Sequence, residues 1–162
     1  MIRNSTIADL DRLDLKILDL LQRQGRMSMT ELGEQIGLST SPVAERVRRL
    51  ERRGVITGYH ARVSPQAVGY TLLVFVEITL SSKSPLVFET VRREVQYLPD
   101  VLECHLVSGS FDYLVKARIG AMAQYRELLG SILKRIPVPS TSNSYVVMEE
   151  IKESPVLELL KG

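Results

Sequence analysis

The sequence predicts an α+β fold in two parts, a bundle of three helices and then a sandwich of order β-α-β-β-α-β. Three observations carry that expectation. Apolar residues recur with helical spacing through the first fifty positions, then switch to alternation at YTLLVFVEITL, residues 70–80. Short connections with glycine at the turn, GRMS and GLST, join the helical stretches. VSPQAVG, with Pro65 and Gly69, reads as a linker, so residues 1–62 and 63–162 are expected as separate domains.

From about Asp11 to Gln24, the residues Leu13, Ile17, Leu20 and Leu21 form one face of an amphipathic helix ended by Gly25. In SMTELGEQIG, Ser28 and Glu31 make a capping box, Leu32 and Ile36 supply the buried face, and Gly37 stops the helix. Ser39 can cap a third helix, which runs to about Arg53 before Gly54 closes it. Pro42 falls in its first turn, where a missing N–H has no helical partner. At helical spacing Val43, Val47 and Leu50 lie on one side of this helix. Ser41, Glu45, Arg48, Arg49 and Arg52 lie on the other, with Arg46 and Arg53 nearer the border. Helices joined by such turns make a helix-turn-helix, and VIT and ARV, two β-prone pieces after Gly54, would add a wing.

The net charge of +2 is unevenly spread. Residues 1–62 hold eleven Lys/Arg against eight Asp/Glu, and residues 46–53 hold five arginines against the single acid Glu51. Local density matters more than the total, because salt limits electrostatic reach to about 8 Å. The arginine side is therefore expected to stand free for a phosphate backbone, which it would bind by counterion release. Ser39, Thr40, Ser41 and Pro42 begin the helix, where side chains reach base edges. Glu45 either accepts from a cytosine amino group or counters the arginines around it. Double-stranded DNA is the expected partner. The lone cysteine, Cys104, excludes an internal disulfide, and the N-terminus has no apolar leader segment. The longest apolar run, Leu72–Val76, is too short to span a bilayer. A cytoplasmic protein with no membrane contact is expected.

In the second part, Tyr70, Leu72, Val74, Val76, Ile78 and Leu80 alternate onto one face of a strand, and Leu73 and Phe75 make its other face apolar too. Ser84 and Pro85 open a helix with Phe88, Val91, Val95 and Leu98 inward. Two strands follow, VLECHLVSG and FDYLVKARI, then a helix from about Ala121 to Ile136 built on Met122, Tyr125, Leu129, Ile132 and Leu133. SYVVMEEI is the last expected strand. The order is that of a split βαβ, ferredoxin-like sandwich. Its helices cover one sheet face, so the face with Leu73 and Phe75 calls for a second copy of the chain. A dimer also suits the first part, since paired helices read half-sites about one helical turn apart.

No catalytic or metal constellation is legible. His60, His105 and Cys104 lack a ligand spacing, adjacent Cys104 and His105 face opposite sides of a strand, and no phosphate loop follows Gly109. LVSGSFDY, residues 106–113, has two readings. It is an ordinary hairpin, or a pocket where backbone donors at Gly109 meet a carboxylate and Asp112, beside Tyr113, meets an ammonium.

The strings LDRLDLKIL, GRMSMTELGEQIGLS, ERVRRLERRGVITGY, LVFVEI, ECHLVSGSFDYLVK, YRELLG and YVVMEE span residues 9–152. Together they resemble the leucine-responsive regulatory protein (Lrp/AsnC, feast/famine) family, nearest its global, leucine-type branch. The resemblance implies a winged helix-turn-helix joined to a RAM/ACT-like regulatory domain, in a transcription regulator of amino-acid metabolism genes associated with the nucleoid. It implies dimers that assemble further, often to octamers, and no cofactor beyond an amino-acid effector: leucine, alanine or another small amino acid. Carried over, the DNA-contacting positions are Ser39 to Pro42, Glu45, Arg46, Arg48 and Arg49, with Arg52 beside them. The effector site falls on Gly109, Asp112 and Tyr113 and on Tyr145, Val146 and Val147. Pro137–Val138–Pro139 stands where the family often reads P-G-V, and Lys134 replaces a commonly apolar residue; both bear on which amino acid binds. Val43 stands where relatives often have cysteine, a volume-like exchange. Siroheme decarboxylases of AsnC type share the layout, which keeps an enzyme as a rival reading, and a ligand-independent chromosome-organising protein is another. The intact arginine helix and the presence of only two histidines favour the regulator.

Overall fold

In the computed structural model, residues 10–159 are described. They divide into two compact units, one holding the residues up to Arg62 together with those from Lys152 onward, the other Val63–Ile151. The tail after 151, expected in the second domain, instead goes with the first. Its anchor is the Gln22 side chain, which acts as a strand partner would: Leu157 N–H donates to Gln22 Oε1 at 2.8 Å, and Gln22 Nε2 donates to the Leu157 carbonyl at 3.2 Å.

The first unit holds α1 (Arg12–Arg23), α2 (Met29–Ile36) and α3 (Thr40–Arg52). Reciprocal caps start the first two, as orphan N–H groups at a helix start demand. Asp14 N–H donates to Asp11 Oδ1 at 2.8 Å and Asp11 N–H returns to Asp14 Oδ2 at 3.4 Å, while Ser28 and Glu31 exchange the same bonds on α2 at 2.7 and 3.2 Å. Gly37 ends α2 in the left-handed region at φ 75°, which a Cβ would strain. Ser39 has the extended backbone of an N-cap but makes no side-chain cap bond. Ile17, Leu32, Ile36, Val43, Val47 and Leu50 meet in one core.

The expected wing strands do not form over residues 55–63. The N–H groups of Val55 and Ile56 both point back to the Leu50 carbonyl, at 2.9 and 3.3 Å. VIT is thus consumed in terminating α3, which leaves it no ladder to join.

The second unit runs β1 (Leu72–Leu80), α4 (Pro85–Glu94), β2 (Val101–Leu106), β3 (Tyr113–Ile119), α5 (Tyr125–Lys134) and β4 (Ser140–Val146). The sheet order is β2-β3-β1-β4 with every neighbouring pair antiparallel. Val74, Val76, Ile78, Val115 and Ala117 form its helix-covered side, packed with Val87, Val91, Leu128 and Ile132. Tyr70 lies before the strand and is exposed, and Met122 stands in an exposed 3-10 turn preceding α5, outside the core expected for it. The last strand is also earlier than expected. Ser140–Val146 pairs along Val74–Leu80, and only Val147 N–H, donating to the Leu73 carbonyl at 2.9 Å, continues toward VMEEI. β4 is an edge, held by backbone bonds rather than by burial, so STSNS serves there while Met148 and Ile151 stay exposed.

Candidate nucleic-acid interface and ligand site

Ser39, Thr40, Ser41 and Pro42 are exposed at the start of α3. Thr40 Oγ1 lies 3.5 Å from Thr30 Oγ1, which ties the two helices of the motif on that same side. Further along, Glu45 is a counter-ion: it pairs with Arg52 at 2.9 Å and lies 3.7 Å from Arg48. The hydrogen bond from Arg52, then its charge, holds the Glu45 carboxyl below the usual range. Of the two readings of this residue, the structure has the pairing with arginines. Arg48 and Arg52 remain well exposed, at 65% and 63%.

Arg46 and Arg49 do not stand free as expected. Arg46 reaches Asp11 at 2.6 Å and Asp14 at 2.8 Å, and Arg49 reaches Asp14 at 2.7 Å. Asp14 is 1% exposed. The hydrogen bonds to these two aspartates raise the Arg46 guanidinium above its usual value. Sequence reasoning missed Asp14, although a signal existed. The buried residues of α1 are Asp14, Ile17, Leu18 and Leu21, spaced i, i+3, i+4 and i+7, so an acid occupies the first place of the apolar stripe.

In the second unit, Asp112 is 6% exposed and already doubly held. Its Oδ2 accepts from Leu80 N–H at 2.8 Å and its Oδ1 faces the Lys83 ammonium at 2.8 Å. The Lys83 hydrogen bond, then the Leu80 N–H, keeps the carboxyl below its ordinary range. Lys83, 56% exposed at the side chain, was not singled out from sequence; it is the internal cation of this site. Tyr113 is buried and packs edge-on against Phe88, ring centroids 6.4 Å apart. Gly109 is exposed, its φ is not positive, and a Cβ there would meet no atom within 4 Å. The bend of this loop does not require glycine. Tyr145 pairs with Phe75 and donates to Glu77 Oε2 at 3.1 Å, whereas Tyr113 pairs with Ile78. Phe75 and Ile78 point to opposite sheet faces, so one chain does not bring Tyr113 and Tyr145 together. Val146 is exposed and Val147 half-buried beyond it, and Lys134 is exposed at the end of α5.

Among the described residues, no group of three or more His, Cys, Asp or Glu could hold a metal ion, and no helix is long and apolar enough to cross a membrane. A helix-turn-helix with an arginine-bearing third helix, joined in one chain to a βαββαβ sandwich, is the layout of a two-domain DNA-binding regulator. Comparison with known proteins agrees. Residues 10–57 match the family described as winged helix-turn-helix DNA-binding, and residues 73–157 match the Lrp/AsnC ligand binding domain. The leucine-responsive regulatory protein of Escherichia coli strain K12 is 53% identical over 90% of this chain and 89% of its own. A Neisseria meningitidis transcriptional regulator solved in complex with L-Met superposes with a TM-score of 0.85 at 34% identity, over 93% of this chain and 97% of that one. A feast or famine regulatory protein of M. tuberculosis complexed with L-methionine gives 0.82 at 32% identity, over 90% and 97%. The chain belongs to the Lrp/AsnC family of transcription regulators.

Proposed function

We propose that this regulator controls genes of amino-acid metabolism, binding duplex DNA through the N-terminal end of α3 as a dimer that answers to a small amino acid. The buried Asp112 carboxylate carries the ligand part of this reading. It already holds one ammonium, that of Lys83, at 2.8 Å on an exposed and displaceable side chain. The ammonium of an amino acid is the same chemical group, and two solved relatives are described as complexes with L-methionine. Gly109 leaves open space at the loop for such a ligand. Because Tyr113 and Tyr145 face opposite ways, Tyr145, Val146 and Val147 would complete the site only from another copy, which fits an effector bound where dimers meet and assembly beyond the dimer, up to octamers.

On the DNA side, Ser39, Thr40 and Ser41 supply hydroxyls for base edges, Pro42 fixes the first turn, and Arg48 and Arg52 meet phosphates. Glu45 aligns those two arginines. The cytoplasm, on the nucleoid, is where such a protein would work.

A thermal-shift panel with each amino acid, followed by a titration of promoter DNA with and without the active ones, tests the proposal. A ligand at about 100 times its Kd adds about 2.7 kcal/mol to stability. One or a few amino acids should shift melting and change the DNA affinity together. Indifference of both readouts to all amino acids would overturn the effector reading.

A further inference from the structure

Arg46 and Arg49 sit on the helix assigned to DNA, yet their charge is claimed from beneath. Asp14 Oδ1 accepts from Arg46 Nη1 and from Arg49 Nη2, each at 2.8 Å, and its Oδ2 accepts from Arg49 Nη2 at 2.7 Å. Asp11 adds a second carboxylate, 2.6 Å from Arg46 Nη1. The cluster is balanced, two aspartates against two guanidiniums. Asp14 also closes the capping box of α1, so the start of α1 and the middle of α3 share one carboxylate. A carboxylate this buried must be paired, and pairing it fixes the direction of both guanidiniums. Arg49 bonds Asp14 through Nη2 alone, its buried Nε has no hydrogen-bond partner, and 43% of the side chain still faces out. The sequence offers five arginines over residues 46–53; of these, Arg48 and Arg52 are well exposed and share one equally exposed counter-ion, Glu45, whereas Arg46 and Arg49 are held by the buried Asp14.

We propose that Asp14 is a positioning residue for DNA recognition: it holds Arg46 and Arg49 from below, setting α3 against α1 and withholding their charge from indiscriminate phosphate contact. Non-specific affinity scales with the phosphates a protein neutralises, so charge withheld is random-DNA affinity given up and discrimination kept. The inference rests on α3 being the helix that meets DNA.

The test is duplex binding by the full-length protein over a range of salt, on a target promoter and on random DNA. Asp14→Asn releases Arg49 and leaves Arg46 only its Asp11 pair. It should steepen the logarithmic salt slope by about one, tighten random-DNA binding, and lower the ratio of target to random affinity. A slope unchanged or shallower, with both affinities reduced, would mean Asp14 only supports the fold and would overturn the proposal. Arg46→Gln leaves Asp14 paired with Arg49 and decides the matter if Asp14→Asn does not fold. Its slope on random DNA should equal that of the native protein, and a slope reduced by about one would make Arg46 a phosphate contact and overturn the proposal. Arg52→Gln tests the underlying reading: it should flatten the slope by about one. If it changes neither affinity nor slope, α3 does not face DNA and the proposal falls with that reading.

Discussion

The Asp112 carboxylate is shared between the Leu80 N–H and the Lys83 ammonium, and both partners demand its charged form. Replacing it by asparagine keeps the volume, loses the ion pair and turns one end of the group into a donor facing an ammonium. Removing one member of a buried, hydrogen-bonded set costs about 1–3 kcal/mol, so Asp112→Asn should lose about that much stability at pH 7, read by urea denaturation. The sign with pH follows from the lowered folded value. The stabilisation is complete above the ordinary aspartate range near about 3.9 and is lost as pH falls through the folded value below it. The gap between native protein and variant should therefore be full at pH 5 to 7 and should close on acidification below about 3.9. A gap that persists at the lowest pH would remove the carboxylate's ionisation as its source. Lys83→Ala separates the site's two roles: it exposes the carboxylate to an added amino acid. It should tighten binding of whichever amino acid the panel identifies; weaker binding in calorimetry would make Lys83 a ligand contact rather than a competitor.

Turns between elements are set as tightly as side-chain pairs. Gly33 lies inside α2, where glycine costs about 0.5–1 kcal/mol relative to alanine, yet a Cβ there would collide with the Leu38 carbonyl oxygen. Leu38 N–H in turn donates to the Gly33 carbonyl at 2.9 Å, so neither backbone can yield without opening the turn into α3. Overpacking of about 1–3 kcal/mol should win over the helix gain, and Gly33→Ala should melt lower and bind promoter DNA more weakly. Gly130→Ala, on α5 with open space around the new Cβ, should instead raise stability by up to about 1 kcal/mol. Equal effects at the two glycines would sink the steric argument. Elements of this kind were legible to different degrees. The helices and β1 to β3 could be placed because caps, glycine stops and apolar periodicity all agree there. β4 starts earlier than expected and residues 55–63 form no strands, because edge strands and helix ends are decided by backbone partners, which leave little trace in side-chain composition. The helix α3 was visible as an arginine run. The partners of those arginines were not, because Asp14 and Asp11 lie more than thirty positions earlier on another helix, and no local spacing links them to α3.

The sandwich leaves one sheet face without helices, and several of the charged groups around its centre are held by partners within the chain. Tyr145 donates to Glu77 at 3.1 Å, and Glu103 takes both Lys116 at 2.9 Å and His105 at 3.1 Å. Between these pairs Phe75 and Leu114 face outward, each only half-buried. An apolar strip whose neighbouring charges are paired desolvates cheaply, and a second copy of the strip about a two-fold axis is its natural cover. Phe75→Glu sets a carboxylate in the middle of that strip, across the ladder from the Lys116 that Glu103 already holds, without touching the helix-covered core of Val74 and Val76, so the chain should stay folded by circular dichroism while the strip becomes costly to desolvate. If the proposed dimer forms on this strip, sedimentation should show the mass of one chain, 18.2 kDa, for the variant and at least twice that mass for the native protein at the same concentration. DNA binding carries the consequence further. Two linked α3 helices engage two half-sites, and the second engagement is intramolecular once the first is made. The variant should therefore lose at least about a hundredfold in promoter affinity, with about half the native salt slope, since half the phosphate contacts remain. An unchanged sedimenting mass would place the dimer contact on another surface, and a monomer that binds promoter as the native protein does would show that one head suffices for recognition.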